Sequence, residues 1–193
     1  MNTGLAVALS KLALTALLAL SVANTQAQTV HRPKTTDEAR DVVRALRSIE
    51  ARTSSGLTVA EYSREVGDLQ IAAVALDELL ERRGENAVRA QLVNAVTPWQ
   101  DAKDVWSACV RPRECGYKII ALGLTDDAGT QLAKGLLAKY PAMNRLESQG
   151  GVLMDERAGN NPGRIYYPAL LSALWSVGKE RARELRARLQ PAQ

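Results

Sequence analysis

The sequence contains a single histidine and only two cysteines, and this scarcity excludes several kinds of site. His31 stands close to the N-terminus, which excludes histidine-based catalytic triads, metal–histidine clusters and the usual general base of neutral pH. Two cysteines without a neighbouring histidine cannot form a zinc site. The sequence therefore predicts no metal and no cofactor, and it assigns no catalytic residue.

Other sequence motifs of established chemistry are also missing. There is no Gly-x-Ser-x-Gly nucleophile elbow and no glycine-rich phosphate loop. After residue 30, no apolar stretch approaches the roughly 20 residues that a membrane span needs. The formal net charge of +4 is too mild to indicate nucleic acid as a partner. We therefore expect a mature chain that neither spans a membrane nor binds nucleic acid.

The N-terminal residues 1–27 have the pattern of a cleavable secretory signal peptide. Lys11 precedes an uncharged run over residues 12–20, and small residues precede a cleavage point after Ala27, with Ala23 as a second acceptable site. An uncleaved anchor is the alternative, because apolar residues 5–9 extend the run. Cleavage predicts export to the periplasm or extracellular space, a flexible lead-in over residues 28–34 and one helical domain over residues 35–190.

Cys109 and Cys115 are separated by five residues, and in an exported chain such a pair is expected to form a disulfide. Closing so short a ring would stabilise the fold by ~2 kcal/mol. The alternative is a redox-active pair. Redox motifs usually have two intervening residues and a βαβ context, neither of which the sequence offers.

Helical periodicity dominates the remainder of the chain. Thr35 with Glu38 and Thr58 with Glu61 have the spacing of capping boxes, and we predict that the first two helices start there. A third helix contains Pro98 and is predicted as one kinked helix or two nearly collinear ones. The apolar seams of the second and third helices comprise Tyr62, Val66, Leu69, Ala73, Leu76 and Leu80, followed by Val88, Leu92, Ala95, Trp99, Ala102 and Trp106.

The fold class predicted from this pattern is mainly α, a single-domain bundle of about five or six helices with one short disulfide loop. Thr125 with two aspartates indicates a fourth helix, and Pro168 opens the last one. The pattern of residues 117–124 fits three alternatives, which are a helix end, a buried strand and a packed connector. Turn chemistry at Asn161-Pro162-Gly163 predicts either a small β-hairpin or an irregular loop near residues 151–167.

This irregular segment is the first candidate for a binding surface, because loops on rigid scaffolds often carry function. Arginine and tyrosine are common interface anchors. The predicted binding residues are Arg157, Asn160, Arg164, Tyr166 and Tyr167. The alternative is that the two tyrosines only pack the loop onto the bundle. The last helix also has a basic face, which is predicted to be solvated.

Three functional hypotheses follow from the sequence. The first is a non-catalytic exported interaction protein, such as an inhibitor, an immunity-like protein or an assembly factor, whose partner is another envelope or extracellular protein. The second is an envelope-acting, carboxylate-dependent hydrolase using Glu61 with Glu65 or Asp155 with Glu156. The third is a small-ligand-binding helical bundle. The sequence does not predict an oligomeric state.

Overall fold

The computed structural model describes residues 36–110, 119–121, 128–145, 151–153 and 164–189, all within one compact unit. For residues 110, 119–121, 128, 164 and 166 it describes the backbone alone. The predicted signal peptide and lead-in lie outside the described residues. The same holds for Thr125 and for the turn at residues 161–163.

Most of the described residues form α-helices, as the sequence predicts. The helices are α1 (Asp37–Ser55), α2 (Val59–Arg82), α3 (Asn86–Val110), α4 (Ala128–Lys139) and α5 (Tyr167–Leu189). A short 3-10 turn, Pro141–Met143, follows α4. The predicted mainly α bundle is therefore confirmed.

The N-termini of the first two helices test the capping predictions. Thr58 is the N-cap of α2, where its side chain accepts a hydrogen bond from the Glu61 N–H and the Glu61 carboxylate accepts one from the Thr58 N–H at 2.8 Å. The predicted capping box is confirmed there. At α1 the prediction is wrong by one residue, because Thr36 is the N-cap and accepts from the Ala39 N–H at 3.2 Å. The third helical position after Thr36 is thus an alanine, which cannot complete a box.

Helices α1, α2, α3 and α5 form an up-down bundle. Short turns make α1, α2 and α3 successively antiparallel, and α5 packs against both α3 and α1. Lys179 Nζ lies 3.3 Å from Ser54 Oγ, and Arg186 pairs with Glu50 at 2.6 Å, so α5 runs antiparallel to α1. The core is made mainly of aliphatic side chains of these helices and of α4, together with the buried aromatic side chains of Tyr62, Trp99 and Tyr140.

Pro98 lies inside α3, which continues through it as one helix. Proline has no N–H, so the carbonyl four residues earlier, that of Asn94, loses its helical donor. Arg181 of α5 supplies a replacement, donating from Nη1 to the Asn94 oxygen at 3.3 Å. The single-helix alternative of the prediction is therefore the observed one, and the contact between α3 and α5 compensates for the missing hydrogen bond.

The small sheet joins two segments that are distant in the sequence. Strand β1 (Ile119–Ala121) pairs antiparallel with β2 (Arg164–Tyr166), and Ile120 lies opposite Ile165. A single bridge between Leu153 and Ile165 is the only β-pairing that the described residues make within 151–167. The antiparallel bridge between Leu153 and Ile165 agrees with the predicted hairpin, whose turn lies outside the described residues. The pairing of β2 with the distant β1 was not predicted.

Candidate functional site

The described residues do not assemble the predicted binding loop. Arg157 and Asn160 lie outside the described residues, and Arg164 and Tyr166 belong to β2, where the backbone alone is described. Tyr167 is the first residue of α5, half-buried and packed against the hydrophobic core. Its placement agrees with the packing alternative, and the interface prediction for the other four residues stays a prediction.

Cys109 lies in the last turn of α3, where its half-buried side chain packs against the core. It is not a free thiol. Cys115 lies outside the described residues, so the pairing of the two cysteines stays a prediction.

The two glutamates considered for hydrolysis are held by one arginine. Glu65 is only 9% exposed, and its carboxylate accepts hydrogen bonds from Ser48 Oγ at 2.7 Å and Arg52 Nη1 at 2.9 Å. Arg52 also binds Glu61 at 3.2 Å. Hydrogen bonds from the Thr58 backbone and side chain lower the pKa of Glu61. A catalytic general acid needs a raised pKa, so this arrangement fits a structural ion pair between α1 and α2.

Three aromatic side chains meet between α2, α3 and α5. The Tyr62 hydroxyl donates to the Trp99 carbonyl at 3.0 Å and accepts from Trp175 Nε1 at 3.1 Å. The ring of Trp106 lies 5.3 Å from Tyr62 and 5.6 Å from Trp175. Burial raises the pKa of the Tyr62 hydroxyl above its ordinary value. These contacts tie three helices together.

The prediction that Tyr62 and Trp99 face the interior is confirmed, because both are fully buried. Trp106 is only half-buried and forms the edge of the core rather than its centre. Its neighbour Val105 is buried instead. A strict four-three spacing drifts relative to the 3.6-residue turn, which displaces the end of the predicted seam.

A surface feature that the sequence did not predict lies on the side of α2 that faces away from the buried Tyr62. Ile71, Val74 and Val93 are 73%, 59% and 56% exposed, and they are the large exposed hydrophobic side chains among the described residues. Val74 and Val93 line a groove of about 550 Å³ between α2 and α3, whose floor includes Leu92 and Val96. We call Ile71, Val74 and Val93, with this groove, the α2–α3 face.

A second depression, of about 240 Å³, lies on the other side of Ile71, between α1 and α2. Five carboxylates line the two depressions, and no lysine or arginine does. They are Glu38, Asp41, Asp68, Asp77 and Glu78. The α2–α3 face is thus apolar at its centre and acidic on the side of α1 and α2, whereas the α3 residues that line the groove are uncharged.

The five carboxylates differ in how they are paired. Asp77 accepts two hydrogen bonds from Arg89, each at 2.9 Å, and Asp41 pairs with Arg44 at 2.9 Å. Asp68 and Glu78 are exposed and form no ion pair with any residue that the structure describes. Those two charges remain open to a partner.

A sequence signal for this face exists at residues 71–75, Ile-Ala-Ala-Val-Ala, where α2 is apolar on every side. A helix that is apolar all round is typical of burial on all sides. The core seam uses only one side of this segment, through Leu69 and Leu76.

The comparisons with known proteins give no relative: no family model, no curated protein and no solved structure matches the chain. Within the described ranges, no group of three histidine, cysteine or acidic side chains is placed to hold a metal ion. None of the described helices has the length and apolarity that crossing a bilayer requires.

Proposed function

We propose that the protein is a non-catalytic, exported interaction protein that binds its partner through the α2–α3 face. The observation that carries this proposal is the exposure of Ile71, Val74 and Val93 beside an apolar groove. Contiguous exposed apolar surface with a polar rim typically marks a protein–protein interface. Burying such a side chain in a complex is worth roughly 1.5–3 kcal/mol, so three of them supply a substantial part of a specific affinity.

The form of the groove supports a protein partner in particular. Its two walls are the neighbouring helices α2 and α3, and its floor is aliphatic. A groove between two helices accepts the apolar side of a third helix, which is a recurring mode of peptide recognition. The bundle therefore acts through this exposed surface rather than through its buried polar groups.

Export and the disulfide belong to the same proposal. Cys109 is not a free thiol, and Cys115 is the one other cysteine of the chain, which supports a bond between them. Thiol titration of the protein from its native host should find no free cysteine. Mass spectrometry of the same material should find a chain that starts near residue 24 or 28. Two reactive thiols, or a full-length membrane-embedded chain, would contradict these two points respectively.

The binding surface is tested with a pair of charge-matched variants. Val74→Lys with Val93→Lys places two cations in the exposed apolar surface without touching the core. Ser172→Lys with Ser176→Lys adds the same charge on the exposed side of α5. Each purified protein is incubated with the envelope fraction of the native host, and the proteins that it retains are identified. The partner retained by wild type should be missing with the first variant and present with the second.

A third variant addresses the loop that the sequence singled out. Arg157→Ala with Arg164→Ala and Tyr166→Ala should leave capture intact if the α2–α3 face is the binding surface. Loss of capture in this loop variant, with full capture by the Val74→Lys and Val93→Lys variant, would transfer the site to residues 154–167. Circular dichroism of the two lysine variants should match wild type, because exposed substitutions typically change stability by about 0.5 kcal/mol or less. The same measurement on the loop variant checks that it is folded.

A second candidate function is small-ligand binding, which the groove volume of about 550 Å³ favours. Ligand pockets commonly occupy roughly 300–1,000 Å³ and are mostly apolar. Native mass spectrometry of the protein from its host should then show a retained small molecule. The Val74→Lys and Val93→Lys variant should release it.

A further inference from the structure

We infer that the partner segment bound by the α2–α3 face is an amphipathic helix whose apolar side is flanked by lysine or arginine. This inference rests on the proposed function and specifies the chemistry of the partner. Three properties of the face support it: its length, its charge, and its mismatch both with a second copy of itself and with α5.

The length of the groove fits a few turns of helix. On α2 the lining runs from Gln70 to Glu78, and on α3 it runs from Leu92 to Gln100. Eight residue steps at 1.5 Å give a groove of about 12 Å, which is between two and three helical turns. A partner helix therefore places two or three apolar anchors, spaced by three or four residues, against Val74 and Val93.

The charge of the rim selects a basic partner. The depressions on both sides of Ile71 are lined by carboxylates and by no cationic side chain. Asp68 and Glu78 have no ion-pair partner among the described residues, so a lysine or arginine of a docked helix gains an interaction without breaking one. An acidic helix would meet like charges along the α2 side of the groove. An anionic membrane surface is disfavoured for the same reason.

A second copy of this chain is a poor occupant. A two-fold symmetric contact through this face would bring Asp68 and Glu78 of both copies together, which costs free energy. The basic helix of the chain itself, α5, directs Leu174 and Leu185 into the core. On its exposed side it offers serine and charged residues such as Arg183, with no large apolar anchor. The occupant that fits is therefore a helix of another protein.

The experiment uses three fluorescent peptides of roughly 18 residues, about 27 Å when helical. One has an apolar leucine stripe flanked by lysines, the second has the same stripe flanked by glutamates, and the third has the composition of the first in scrambled order. Binding to the purified protein is measured by fluorescence anisotropy at several salt concentrations. The basic amphipathic peptide should bind at least about tenfold more tightly than the other two, and more weakly as salt rises.

Variants of the protein separate the apolar and the charged contributions. Val74→Lys with Val93→Lys should abolish binding of the basic peptide, and the control Ser172→Lys with Ser176→Lys should not. The double variant Asp68→Asn with Glu78→Gln removes the two carboxylates that have no ion-pair partner among the described residues. It should lower the affinity for the basic peptide by about fivefold and make the binding less dependent on salt. The same change should leave the weak binding of the acidic peptide equal or stronger.

Three results would overturn the inference. They are equal affinity for the basic and acidic peptides, no binding of the basic peptide, and concentration-dependent self-association of wild type that the Val74→Lys and Val93→Lys variant loses. If the peptides fail while that variant still loses the native partner, the face binds a partner of another chemistry and the proposed function stands. If the variant keeps the native partner, the proposed function itself is wrong.

Discussion

Replacing Gly178 with alanine tests the packing of α3 against α5. A Cβ atom added at Gly178 would lie 2.7 Å from Cε2 of Trp99 and 3.0 Å from its Nε1. Such distances are shorter than real Cβ contacts, so either the indole or the helix must move. Trp99 is fully buried, which leaves its indole little room to move. We therefore expect Gly178→Ala to destabilise the protein.

The expected magnitude is a difference of two opposing effects. Alanine improves helix propensity over glycine by roughly 0.5–1 kcal/mol. Overpacking a well-packed core costs roughly 1–3 kcal/mol. The net loss for Gly178→Ala is thus up to about 2.5 kcal/mol, which lowers the melting temperature of a domain of this size by up to roughly 10 °C.

The chain offers a matched control. At Gly67, within α2, an added Cβ meets no atom within 4 Å. Gly67→Ala should therefore benefit from the higher helix propensity of alanine without any packing cost, and it should stabilise the protein by roughly 0.5–1 kcal/mol. Urea unfolding followed by far-UV circular dichroism reports both changes without depending on the fluorescence of Trp99. The smaller ring of Trp99→Phe should relieve part of the Gly178→Ala penalty in a double-mutant cycle. Stabilisation by both alanines would refute the packing described for α3 and α5.

Three further predictions follow from the buried and paired groups. Tyr62→Phe leaves the carbonyl of Trp99 without its donor and should cost roughly 1–3 kcal/mol in urea unfolding, whereas an unchanged midpoint would contradict the hydrogen bond. Trp99→Ala should cost about 3–5 kcal/mol and Trp106→Ala clearly less, since only the first is fully buried; equal losses would contradict the burial difference. The hydrogen bonds from Arg89 lower the pKa of Asp77 from 3.8, so its stabilising contribution is present above that pH and is lost as the pH falls through the folded-state pKa. Asp77→Asn should therefore destabilise at neutral pH and match wild type in strong acid, and a pH-independent difference would contradict the pairing.

Local sequence signals predicted the helices well where a start signal and an apolar seam occur together. The capping box of Thr58 and Glu61 predicted the start of α2 correctly. At α1 the spacing of Thr35 and Glu38 matched the capping box, yet the adjacent Thr36 is the N-cap. Helix ends are uncertain by one or two residues when only the local pattern is used.

The features that sequence reasoning missed are non-local. The pairing of Ile120 with Ile165 joins segments with a whole helix between them, and the turn residues at 161–163 contain no information about it. The periodicity of α2 predicted Leu69 and Leu76 as core. Whether anything covers the other side of α2, at Val74, depends on the placement of neighbouring helices. For that reason the sequence pointed to the irregular loop, whereas the exposed apolar surface lies on a regular helix face.

The central claim, that the α2–α3 face binds the partner, is tested most directly by site-specific photo-crosslinking in the host that exports the protein. A photoreactive residue at Val74 samples the centre of the face, and the same residue at Ser172 samples the exposed side of α5. The account predicts a discrete adduct with another protein from Val74, lost when Val93→Lys is added, and none from Ser172. No adduct from Val74, or the same adduct from both positions, would contradict it.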